Sequence, residues 1–75
     1  MIRGRLSQWD CRLINDYRQC RRRVTEVFNI VRQYMGNPAM EYCIYYGHKM
    51  IGHAPKRRDA VHLRNNFYKN PNMLM

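Results

Sequence analysis

Apolar residues recur every seven positions through the first half of the chain. Leu6, Leu13, Cys20, Val27 and Tyr34 form one line, and Tyr17, Val24 and Val31 form a second. The steps between the two lines alternate between three and four, which keeps side chains on one face of an α-helix. No Gly or Pro interrupts the run before Gly36-Asn37-Pro38. The spacing therefore predicts a long helix over about residues 8–35. Ser7-Gln-Trp-Asp10 fits a capping box at its start, with Leu6 and Cys11 as a small hydrophobic staple, and Gly36 suits its close. At ~1.5 Å per residue such a helix would be roughly 42 Å long. A compact domain of this size is only about 30 Å across, so part of the stripe is expected to rest on a partner.

A second helix is expected over about residues 38–51, with Met40, Ile44, Gly47 and Ile51 on one face and a stop at Gly52 and Pro55. A third, over about residues 56–69, would turn Ala60, Leu63 and Phe67 inward and end before Pro71. The fold class expected is all-α: one domain over residues 1–75, in which the long helix and the second helix make an antiparallel hairpin. The second helix is half as long as the first. It would leave Leu6, Trp9, Leu13 and Tyr17 uncovered, and an apolar stretch of that kind with a Trp in it marks an interface.

Composition adds charge to this picture. The 75 residues carry a net charge of +9, and eleven of the fourteen basic residues are Arg. Arg makes planar, bidentate contacts to carboxylates and phosphates, so the balance points to acidic protein or nucleic acid as a partner. The charge is spread along the chain and does not form a tail. Cys11, Cys20 and Cys43 cannot all pair, and Cys11 and Cys20 would lie on opposite sides of one helix, so free thiols in a reducing compartment are expected. No stretch approaches the ~20 apolar residues of a membrane span. The first nine residues contain Arg and Ser without an acidic group, as a short mitochondrial targeting segment does.

The chemistry of an enzyme is not visible. Asp10, Asp16, Glu26, Glu41 and Asp59 form no close pair, and no phosphate loop or nucleophile elbow occurs. Cys43, His48 and His53 are spaced by five, which would turn them to different sides of a helix, so no metal or other cofactor is expected. Nucleic-acid binding has better support. Arg21-Arg22-Arg23 and Lys56-Arg57-Arg58, with Tyr17, Tyr34, Tyr45, Tyr46 and Tyr68, supply groups that grip phosphates and stack on bases.

The stretch Leu63-Arg-Asn-Asn-Phe-Tyr-Lys-Asn70 has the pattern apolar-Arg-x-x-Phe-x-x-Asn. It resembles the second-helix signature of LYR-motif proteins, small helical mitochondrial subunits and assembly factors. Arg21-Arg-Arg-Val-Thr-Glu-Val-Phe-Asn29 is similar to the first-helix arrangement of a complex I accessory subunit in that family, with Val27-Phe28-Asn29 where Leu-Tyr-Arg belongs. The resemblance implies a matrix protein docking through basic helix faces onto acyl carrier protein, with Arg64 and Phe67 as carried-over positions. The expectation is thus a non-catalytic accessory subunit of a respiratory-chain or ATP-synthase complex in the mitochondrial matrix or on the matrix side of the inner membrane. Its partners would be other protein subunits and anionic lipid at a membrane surface. The residues expected to meet them are Leu6, Trp9, Leu13, Tyr17, Arg21, Arg22, Arg23, Arg57, Arg58, Arg64 and Phe67. The alternative is a small ribosomal or other RNA-binding protein that sets the same arginines on phosphates.

Overall fold

The computed structural model describes residues 6–33 and 36–75. The fold is an α/β mix, which corrects the all-α expectation. In chain order the elements are helix α1 (Gln8–Gln19), a single helical turn α2 (Val24–Val27), strand β1 (Asn29–Arg32), strand β2 (Tyr42–Tyr46), strand β3 (Lys49–Ala54) and helix α3 (Arg57–Lys69). Short 3-10 turns occupy Pro38–Met40 and Pro71–Leu74. Of the expected helices, the third is present at nearly the expected length. The first is cut to less than half, and the second is replaced by a β-hairpin.

The start of α1 follows the sequence pattern. The Ser7 hydroxyl accepts from the Asp10 N–H at 3.1 Å, and the Asp10 carboxylate accepts from the Ser7 N–H at 3.4 Å, closing a capping box. Leu6 and Cys11, on either side of it, are both buried in the core. The end of the helix was not visible as a Gly. Arg21 takes the left-handed conformation (φ 58°) that normally calls for glycine. The Arg22 N–H then donates to the Tyr17 carbonyl at 2.9 Å and the Arg21 N–H to the Arg18 carbonyl at 3.0 Å. This is the Schellman bond pair, and it stops the helix at Gln19, a little short of halfway along the seven-residue stripe.

Beyond this cap Val24–Val27 make one helical turn, and the β-branched Ile30 and Val31 that follow lie in β1, where such side chains fit a pleated sheet. Tyr42-Cys-Ile-Tyr-Tyr46 is a strand for the same reason. Gly47 (φ 62°) followed by His48 joins it to β3 through a two-residue loop, since Tyr46 pairs with Lys49. A positive φ at the first loop residue alone is the II′ pattern, which matches the twist of paired strands. The three strands form one antiparallel sheet in the order β1-β2-β3. The register shifts beside Ile44 and Tyr45, where β3 carries one extra residue between Met50 and Gly52.

The pleat sorts the side chains. Ile30, Ile44 and Gly52 line up across the strands, as do Arg32, Tyr42 and Ala54. This face carries the helices: Phe67 and Leu63 of α3 press on Gly52, and Phe28, Ile14, Ile44, Ile51 and Ala60 fill the core. Phe28 meets Tyr46 and Tyr68 edge-on, with ring centroids 5.9 and 6.0 Å away. The opposite face presents Asn29, Tyr45 and Met50, then Val31, Cys43 and His53. The Pro38–Met40 turn covers part of it, where the Cys43 thiol donates to the Met40 carbonyl. The chain ends meet as well, through Leu6 N–H to Leu74 carbonyl at 2.7 Å and Cys11 Sγ to Pro71 carbonyl at 3.3 Å. No helix among the described residues is long and apolar enough to cross a membrane.

Candidate nucleic-acid interface

The expected partner surface on α1 is largely dismantled by the fold. Leu6 is buried, Leu13 is half-buried, and Tyr17 packs against the core, leaving Trp9, 66% exposed, as the one open apolar group of the four. Phe67 is also a core residue, held against Gly52. Arg64 is half-buried with its Nε unpartnered. Burial first, and the charge of Arg57 second, hold its guanidinium below the usual value. Of the second apolar line, Val31 lies on the uncovered sheet face. Tyr34 and the segment 1–5 with its targeting-like start lie outside the described residues.

The basic groups sort into two clusters. One opens α3. Lys56 is its N-cap with no side-chain cap bond, and Arg57 and Arg58 are its first two residues, all exposed. A helix N-terminus has free N–H groups and the positive end of the dipole, so it favours acceptors and anions. Three cations here oppose that field, while Asp59 in the same first turn complements it. None of the three makes an ion pair among the described residues; the pairs are Arg22 with Glu26, Arg32 with Glu41, and Lys49 with Asp10. Sequence reasoning grouped Lys56 with Arg57 and Arg58 as a phosphate grip but did not count it among the expected partner residues or read it as the helix cap. The available signal was a basic residue standing where a Ser, Thr, Asp or Asn cap belongs, one turn ahead of the apolar period of Ala60, Leu63 and Phe67.

The second cluster surrounds the end of α1, where Arg18, Arg21, Arg22 and Arg23 are exposed. Arg22 is tied into the structure. Its guanidinium lies 5.3 Å from the Tyr17 ring centroid and 3.8 Å from Glu26, and its carbonyl accepts from the Tyr68 hydroxyl. Tyr68 stands near the end of α3, so the two clusters are separated by about the length of that helix, roughly 18 Å from Lys56 to Tyr68 at ~1.5 Å per residue.

The open sheet face is different in character. None of Asn29, Val31, Cys43, Tyr45, Met50 and His53 is Lys or Arg. Its one aromatic, Tyr45, is half-buried with its hydroxyl taken by the Gln33 amide at 2.7 Å. The strands carry two cations, Arg32 and Lys49, each in an ion pair, and neither stands on the open face, which offers no basic stacking platform. Among the described residues no group of three His, Cys, Asp or Glu side chains is placed to hold a metal ion. No protein-family model, curated protein or solved structure matches this chain.

Proposed function

We propose that this chain is a non-catalytic RNA-binding module that grips the sugar–phosphate backbone of a duplex. The observation that carries this reading is Lys56-Arg57-Arg58 at the start of α3. Folding gains nothing from three cations that have no ion pair among the described residues at the positive end of a helix, where an acidic or hydroxyl cap would stabilise. A phosphate bound there meets free backbone N–H groups, the helix dipole and three cationic side chains together. The accessory-subunit reading rested on the half-covered stripe of a long helix, with the Arg bias, the targeting-like start and the missing catalytic constellation beside it, and α1 ends at Gln19, far short of that helix.

The distribution of charge favours a duplex over a single strand. Single-strand binders line a basic groove with aromatic platforms, and the open sheet face has neither the charge nor the free rings. Duplex RNA is held mainly by shape, through phosphates and 2′-hydroxyls, by modules that span roughly 16 base pairs. Two basic clusters on one rigid scaffold suit that mode.

Fluorescence anisotropy with a labelled 20-base-pair RNA duplex, the matching single strand and the DNA duplex tests the reading. Duplex RNA should bind more tightly than the single strand. Affinity should fall with a log–log salt slope of roughly −4, as expected for about five neutralised phosphates. The Arg57→Glu/Arg58→Glu double variant should lose at least about tenfold in affinity and about two in slope. Equal binding of single strand and duplex, or an unchanged double variant, would contradict the proposal.

A further inference from the structure

The Arg21-Arg22-Arg23 triplet looks uniform in sequence, but the fold gives its members different surroundings. Arg22 is engaged on every side: its N–H with Tyr17, its carbonyl with Tyr68, its guanidinium with the Tyr17 ring and Glu26. Among the described residues Arg21 and Arg23 have no side-chain hydrogen bond, ion pair or ring contact, and both are exposed. Arg21 also occupies the left-handed position of the helix cap, φ 58°. Glycine or asparagine suits that position best, because a Cβ there crowds the neighbouring carbonyl. The negative end of α1 welcomes a cation, but Arg18 in the last turn already supplies one. Backbone preference therefore gives no reason for an arginine at residue 21, while its free guanidinium does. A residue held in an unfavoured conformation is a pointer to a ligand contact.

Resting on the RNA-binding reading above, we infer that Arg21 and Arg23 form a second phosphate site, and that Arg22 is its positioning residue. Tyr17 and Tyr68 fix the backbone of Arg22 from α1 and α3, so the two flanking arginines are presented from a rigid support. The site lies about one helix length from Lys56-Arg57-Arg58. The two clusters would then neutralise separate stretches of one duplex backbone, and each free arginine would add one phosphate contact.

The test measures anisotropy of the labelled RNA duplex across a salt series, together with thermal melting, for Arg21→Gly, Arg23→Ala and Arg22→Met. Arg21→Gly is expected to melt no lower than the parent chain yet to bind about fivefold more weakly, with the salt slope reduced by about one. Arg23→Ala should show the same loss of slope. Arg22→Met should melt lower while its slope stays close to that of the parent. If Arg21→Gly and Arg23→Ala bind as the parent does, while the Arg57→Glu/Arg58→Glu variant is weakened, this inference fails and the RNA reading stands. An equal loss of slope for Arg22→Met and Arg21→Gly would also overturn it, because the triplet would then act as diffuse charge. A parent chain that does not bind the duplex sinks both.

Discussion

A Cβ on Gly52 would lie 2.9 Å from Cε2 of Phe67 and 3.2 Å from Cδ2 of Leu63. Phe67 is itself buried, so its ring cannot swing away cheaply. Gly52→Ala should cost about 1–3 kcal/mol as an overpacked core does, read as a lower midpoint in urea with little change in slope. At Arg21 the sign is reversed. The left-handed backbone costs an ordinary residue roughly 1–2 kcal/mol, partly offset by the dipole at the helix end, so Arg21→Gly should leave stability level or raise it by about 1 kcal/mol. The cysteines divide in the same residue-by-residue way. Cys20 is exposed, whereas Cys11 and Cys43 are buried, and burial pushes both of those thiols up. A thiol-reactive disulfide reagent should therefore titrate one group rapidly and two only on unfolding. Two rapid groups would place one of the buried cysteines wrongly.

Helix ends are where element-scale chemistry decides between stability and binding. The α1 capping box is conventional, and Ser7→Ala should cost about 1 kcal/mol. It also has a pH signature. Desolvation raises the Asp10 carboxyl, but the Ser7 bonds and Lys49 outweigh it, and the net direction is below the usual 3.8. A depressed carboxyl contributes stability that is complete above its unfolded value and lost as pH falls through its folded one. Melting temperature should therefore be more sensitive to Asp10→Ala at pH 7 than in strong acid, where protonation of the carboxyl removes that contribution. Helix α3 is capped against its own interest. Lys56→Asp should stabilise it by about 1 kcal/mol and weaken RNA binding, since the same change supplies a cap and removes a phosphate contact. Parallel loss of stability and binding would contradict that assignment. The start of α1 was readable because capping is local, and that of α3 because Pro55 precedes the apolar period of Ala60, Leu63 and Phe67. The strands were not read because Ile44, Gly47 and Ile51 satisfy a helical spacing by coincidence, while the better signals were the Tyr-Cys-Ile-Tyr-Tyr run and the Gly47-His48 turn.

At the scale of the whole molecule, the antiparallel sheet separates an uncharged open face from a basic helical layer. That partition is what favours backbone contact over base stacking in the RNA-binding role proposed above. The sequence by itself determined the cap at Ser7, the third helix with Ala60 and Phe67 inward, the excess of Arg and the two basic runs. Each of these depends on composition or on neighbours within about four positions, where local geometry suffices. Tertiary structure alone decided that α1 stops at Gln19, because its stop is an arginine in a glycine conformation, stabilised by Tyr17 beneath and Tyr68 across from it. It decided the sheet, since strand pairing joins residues as distant as Asn29 and Tyr45, which no short window contains. It also separated Arg22 from Arg21 and Arg23, three identical side chains in sequence whose roles depend on which partner the fold brings within reach.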